Sequence, residues 1–347
     1  MLLTRVFQTV LGTTVLLLMA VALSAKQTSS SLRKGAAFVP FVPKVVAYVP
    51  NWIDLDAFAD TIEYSKITHV NLAFENPLDD SGTLSFNSKN EVLIAKAHAH
   101  HVPVLISIGG GTASGDKVLL DRYEALLSNA QRDGFVAKLA AYVSQHNFDG
   151  LDVDIEGAAI TKDYGAFIND LARVLHPKGK LLTAALSQGN GGNRVPDSVF
   201  NDFDWINIMA YDAAGPWLPD EPGQHSSLEF AQGAVEYWIE RGLPKKKAVI
   251  GVPFYGYGFG KAFLNHDYAY STIVDAYPCA ENVDQAGSTI WYNGIPTIKA
   301  KVRYMREREL GGIMIWSLNL DAQGKRSLLS AIDEALKQPK PKKPLTR

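Results

Sequence analysis

Eight short runs rich in β-branched and other apolar residues lie at 45–49, 68–74, 104–108, 150–155, 181–186, 205–209, 248–253 and 312–317. Between and after them, apolar residues recur at helical spacing over 90–100, 132–145, 164–175, 228–241, 297–308 and 327–336. Such alternation predicts parallel strands joined by crossover helices, and eight strands are the number that closes a (β/α)8 barrel. A chain of 347 residues suffices for one large α/β barrel or two ordinary domains, and 47% apolar content fills a sizeable core. No internal repeat at a solenoid period is visible.

The fourth run carries the chemistry. In Gly150-Leu151-Asp152-Val153-Asp154-Ile155-Glu156, the three acidic residues alternate with three apolar ones. Side chains two apart on a strand share a face, so Asp152, Asp154 and Glu156 form an acidic row with Leu151, Val153 and Ile155 behind it. Three neighbouring carboxylates in a low-dielectric site cannot all ionise cheaply, which is how a glutamate is kept protonated as a general acid. A solvated acidic edge and a divalent-cation site are the competing readings. The apolar partners argue against the first. In a barrel the active site lies at the carboxyl ends of the strands. Glu156, Tyr211 and Trp316 sit at such ends, as do Tyr48, Phe74 and residues 109–111.

Charge and termini bound the setting. With 34 basic against 36 acidic residues, the net charge of −2 gives no reason to expect a nucleic-acid partner. Arg5, the apolar run 15–23 and the small residues Ala22, Ser24 and Ala25 have the layout of a secretory signal peptide over 1–25, with an uncleaved anchor as the other reading. A secreted or periplasmic protein of bacterial type, with no stable membrane association after cleavage, is expected. Cys279 is the sole cysteine, which excludes an intramolecular disulfide. Residues 26–43 read as a linker and 337–347 as a basic, proline-rich tail. The glycines at 109–111 lack the Lys-Ser/Thr of a phosphate loop, and His98, His100 and His101 lack a metal-ligand arrangement. No metal or cofactor is expected, and a monomer is.

The segment 149–156 resembles the DGxDxDxE signature of glycoside hydrolase family 18. Ser107-Ile108-Gly109-Gly110 is similar to the family's SxGG, Met209-Ala210-Tyr211-Asp212 to the motif ending its sixth strand, and residues 311–317 to its last strand with the tryptophan of the sugar site. The resemblance covers a catalytic domain at 44–336 and implies a TIM barrel. The interval 255–310 is short and must also hold a barrel helix, so the family's insertion domain is expected to be reduced or absent and the cleft open. Ile155 stands where the family usually has tryptophan.

The resemblance further implies a retaining, substrate-assisted mechanism. Glu156 would protonate the glycosidic oxygen while the sugar's own 2-acetamido group attacks the anomeric carbon. Asp154 would hold the acetamido N–H, Asp152 would share a proton with Asp154, and Tyr211 would donate to the acetamido oxygen. Trp316 would lie beneath the sugar. Tyr48, Phe74, Gly110, Asn207, Met209 and Asp212 are expected to line the site, with loop capping as the alternative for Asp212. Trp52, Trp217, Tyr255 and Tyr257 are aromatic candidates for further sugar contacts, with packing as the alternative. Asp149 is expected to shape the start of its strand. The implied activity is cleavage of β-1,4 bonds in chitin or chitooligosaccharides. Alternatives are an endo-β-N-acetylglucosaminidase on glycoprotein glycans, a peptidoglycan-cleaving relative, and a non-catalytic chitooligosaccharide-binding lectin.

Overall fold

A computed structural model describes residues 42–265 and 267–339. The segments read from the sequence as a signal peptide, as the linker up to residue 41 and as the tail from residue 340 lie outside the described residues. In chain order the strands are β1 (Lys44–Pro50), β2 (His69–Ala73), β3 (Val104–Gly109), β4 (Gly150–Asp154), β5 (Leu181–Leu186), β6 (Trp205–Ile208), β7 (Ala248–Pro253), β8 (Tyr255–Gly258), β9 (Asp267–Ala269), β10 (Gln285–Ala286), β11 (Ile290–Trp291) and β12 (Gly312–Trp316). The longer helices are α1 (Asn90–Ala99), α2 (Lys117–Leu127), α3 (Arg132–Gln145), α4 (Tyr164–Leu175), α5 (Leu228–Glu240), α6 (Tyr270–Ala276), α7 (Ile295–Arg308) and α8 (Leu328–Lys337).

Strands β1 to β7 and β12 close a parallel barrel in the order β1-β12-β7-β6-β5-β4-β3-β2. Each barrel strand predicted from the sequence is present, and each predicted helix as well. Helices α2 and α6 were not anticipated, and α8 runs through Lys337, one residue past the expected domain end.

Alternation along β1 separates two cores. Val45, Ala47 and Val49 point outward to the helices, whereas Val46 and Tyr48 point into the barrel with Leu105, Ala185, Trp205, Val249 and Met314. On β4 the same period sends Leu151, Val153 and the following Ile155 outward, which leaves the acidic row facing the barrel axis. Ile155 therefore meets the helical layer and not the acids.

The interval after β7 holds a small antiparallel sheet, ordered β10-β11-β8-β9, with α6 packed beside it before α7 resumes the barrel. Of the two expectations for the insertion, the reduced form is the one found. Its strands of two to four residues are too short to show a periodicity in sequence. Among the described residues no helix is long and apolar enough to cross a membrane.

Candidate active site

The end of β4 is set by its neighbour β3. The Gly110 N–H donates to the Asp154 carbonyl at 2.7 Å, and a Cβ at Gly109 (φ +101°) would come within 2.2 Å of that oxygen. Glycine is the residue that tolerates both the left-handed backbone and the close approach. The extended conformation continues to Glu156 (φ −125°, ψ 165°), so the alternation carries the third acid past the last ladder pair.

Asp152 is fully buried and fully engaged. Tyr48 Oη and Ser107 Oγ donate to Oδ2 at 2.6 and 2.7 Å, and Thr183 Oγ1 and Asn207 Nδ2 donate to Oδ1 at 2.5 and 3.3 Å. Burial raises its pKa, and the four hydrogen bonds oppose that rise. Asp154 is 4% exposed, and its Oδ1 is buried without a hydrogen-bond partner. Burial, then the charges of Glu156 and Asp152, push its pKa well up. The proton expected to be shared between Asp152 and Asp154 is not supported by a hydrogen bond between them. The reason is saturation: four donors already occupy the Asp152 oxygens.

Glu156 is partly exposed and accepts from Asn190 Nδ2 at 3.1 Å on Oε2. Burial raises its pKa, Asn190 lowers it, and the charge of Asp212 raises it. Tyr211 is 9% exposed, and among the described residues its hydroxyl meets the Met314 sulfur at 3.9 Å. Burial and the surrounding carboxylates raise its pKa, so the hydroxyl stays a donor. Asp212 (φ +66°) accepts from Tyr255 Oη and from Tyr257 Oη at 3.1 Å.

Two cavities meet here. One of about 410 Å³ is lined by Tyr48, Phe74, Gly111, Asp154, Ala185, Tyr255, Trp316 and Leu320. A second of about 470 Å³ is lined by Ser187, Gln188, Gly189, Asn190, Ala213 and Phe230. Glu156, Met209, Tyr211, Asp212 and Trp217 border both. The first is aromatic-walled, with Trp316 stacked on Phe74 at 5.8 Å between ring centroids; the second presents amide and hydroxyl groups.

Several expected residues lie elsewhere. Asn207 is buried below the cavity floor, bonded to Asp152 and Tyr48. Gly110 is buried behind Phe74, whose ring a Cβ there would strike at 2.5 Å, and Gly111 takes its place at the wall. Trp52 stacks on the outer side of Phe74 at 6.2 Å and is 64% exposed. Asp149, expected at the start of its strand and not in the site, accepts there from the Val104 N–H and contacts His98 Nε2. Thr183 and Asn190 were not anticipated. A lone hydroxyl in the apolar β5 marks Thr183, whereas Asn190 lies in a loop without any periodic signal. Among the described residues no cluster of His, Cys, Asp and Glu is arranged to hold a metal ion.

The model of the family described as "Glycosyl hydrolases family 18" matches residues 44–321. The chain belongs to that family. Within family 18 it is similar to the crystal structure of the GH18 chitinase ChiB from the chitin utilization locus of Flavobacterium johnsoniae. The two share 36% identity with a TM-score of 0.79 over 86% of this chain and 94% of that one. Chitotriosidase-1 of Mus musculus is 26% identical over 80% of this chain and 73% of its own length. Probable chitinase 10 of Drosophila melanogaster is 26% identical over 80% of this chain, which spans 15% of that protein's length. All three alignments cover most of this family 18 barrel.

Proposed function

We propose that this family 18 protein hydrolyses β-1,4 bonds next to N-acetylglucosamine in chitin or chitooligosaccharides, with retention and with the substrate's acetamido group as nucleophile. One observation carries the reading: Glu156 stands where the two cavities join, with the unpartnered Asp154 oxygen beneath it and the Tyr211 hydroxyl on the shared wall. A bond spanning the junction meets the acid, and the sugar on the aromatic side rests on Trp316.

Glu156, its proton retained by burial, protonates the glycosidic oxygen as that bond breaks. The acetamido oxygen forms the new bond to the anomeric carbon. Asp154 Oδ1 accepts the acetamido N–H and offsets the positive charge of the ring that forms, while Tyr211 Oη donates to the acetamido oxygen and holds it in line. Glu156, now ionised, takes a proton from the water that opens the ring and so regains its starting state. Asp152, held by four donors, supplies a fixed negative charge below Asp154. The protein is further read as exported, on the apolar run at 15–23.

The test is product analysis by mass spectrometry after incubation with chitotetraose and with an N-glycosylated protein, for the wild type and Glu156→Gln. Cleavage of chitotetraose that is lost in the variant supports the reading. Release of intact glycans alone transfers the activity to glycoprotein glycans. Binding of chitotetraose without cleavage of either substrate replaces the hydrolase by a lectin.

A further inference from the structure

The loop that follows β5 reaches back over the acid and latches onto it. Asn190 makes two bonds to the 156–157 turn: its side-chain amide donates to Glu156 Oε2 at 3.1 Å, and its carbonyl accepts the Gly157 N–H at 3.1 Å. The two segments interlock through glycines. A Cβ on Gly191 (φ +81°) would come within 2.7 Å of the Gly157 carbonyl, and one on Gly157 (φ +55°) within 2.9 Å of Asn190 Oδ1.

The loop itself is anchored at both ends. Ser187 Oγ accepts the N–H groups of Gly189 and Asn190 at 3.1 and 3.2 Å. On the far side Arg241, the residue just past α5, its guanidinium 4.8 Å from the Trp238 ring centroid, donates to the carbonyls of Gly192 (2.8 Å) and Val195 and to Asp197. An amide held this way meets Glu156 in a fixed direction.

We infer that Asn190 is a positioning residue for the acid: by occupying Oε2 with an N–H donor, it reserves Oε1 as the oxygen that carries the proton to the glycosidic bond. The inference rests on the reading of Glu156 as acid and base. An N–H and an O–H cannot both point along one lone-pair direction, so the oxygen that accepts the amide is the poorer place for the proton. The same bond favours the carboxylate, and so moderates the effect of burial and of the Asp212 charge. Asp154, Asp212 and Tyr211 are the other titratable groups around Glu156, and Arg194, which donates to the Gly157 carbonyl at 3.4 Å, is the cation on the same loop. In the free protein Asn190 is exposed. A sugar in the second cavity would cover it and strengthen the bond by excluding water.

The experiment compares wild type with Asn190→Ala and Asn190→Asp. Truncation to alanine leaves the loop's backbone bond to Gly157 and the Arg241 anchor in place. Expected for Asn190→Ala is a fall in kcat on chitotetraose of about tenfold to a hundredfold, with KM changed less than about threefold. The alkaline limb of its kcat profile should move to higher pH, because the ionised form of Glu156 has lost a donor. In Asn190→Asp the introduced carboxyl repels Glu156 when ionised and can donate when protonated. Its rate should therefore approach wild type as pH falls below about 4.5. Independently of any substrate, the Glu156 carboxyl signal in 13C NMR, assigned by its loss in Glu156→Gln, should titrate at higher pH in Asn190→Ala.

An unchanged carboxyl titration in Asn190→Ala, or a loss confined to KM, overturns the inference. Full activity of Glu156→Gln, with the titration still displaced, refutes the acid assignment instead and leaves the contact between Asn190 and Glu156 standing.

Discussion

The Tyr48 hydroxyl reaches across the barrel to Asp152, donating to Oδ2 at 2.6 Å with both side chains buried. Tyr48→Phe deletes that donor and leaves a buried carboxylate oxygen with one fewer partner, a loss of about 1–3 kcal/mol. The bond favours the ionised form. Its cost should appear above the folded pKa of Asp152 and shrink as pH falls through it. Urea denaturation of the two proteins over a series of pH values checks this, and a pH-independent difference would contradict it.

Two neighbouring glycines should respond oppositely to the same change. At Gly109 an added methyl would overlap the Asp154 carbonyl at a positive φ, whereas nothing lies within 4 Å of a Cβ at Gly111. Gly109→Ala should cost about 2–4 kcal/mol, and Gly111→Ala should stay within about 0.5 kcal/mol of wild type. Thermal unfolding of both variants decides it.

The stack Trp316–Phe74–Trp52 runs from the cavity to the surface, with interplanar angles of 25° and 24°. In a Glu156→Gln background, Trp316→Ala should weaken chitotetraose binding by about 2 kcal/mol. Trp52→Ala should cost less with this short ligand and more with a longer one. Calorimetric titration with oligomers of increasing length measures both.

Lys301 is buried behind the site and donates to Ser226 O and Oγ at 2.8 and 2.6 Å and to Asn293 Oδ1 at 2.7 Å. Ser226 Oγ in turn donates to the Ala210 carbonyl, one residue before Tyr211. Burial lowers the lysine's pKa to about 7, against the attraction of Asp284. Below that pH the lysine is charged in both folded and unfolded chains. Between it and the unfolded value of about 10.4, unfolding takes up a proton, so stability rises with pH by up to about 1.4 kcal/mol per unit. Lys301→Met should lose that slope. Denaturation midpoints between about pH 7.5 and 9.5 measure it, and parallel curves for the two proteins would refute the assignment.

The barrel and the acidic row were legible because both follow from period-two alternation, which local sequence records directly. The partners of Asp152 were less so. Ser107, Asp152 and Thr183 lie level on three adjacent strands because β3 pairs Ser107 with Asp152 and β4 pairs Asp152 with Thr183. That register is a property of strand pairing, which no single strand encodes. The same limit put Asn207 at the cavity wall in the sequence reading and below its floor in the structure. Gly110 was misplaced for another reason: it sits behind the ring of Phe74, the residue that follows β2. Asn190 depends on where an irregular loop folds back, and the insertion sheet is built from strands too short to announce themselves.

The four donors to Asp152 come from β1, β3, β5 and β6, while the acid itself sits on β4. A partly assembled ring would strand this carboxylate among apolar side chains with its acceptors unfilled. The acidic centre is therefore complete only when β1, β3, β4, β5 and β6 are all in place. A chain in which these five strands have not yet come together lacks the ring of donors around the carboxyl beneath Asp154, and a folding intermediate of that kind is expected to be catalytically silent.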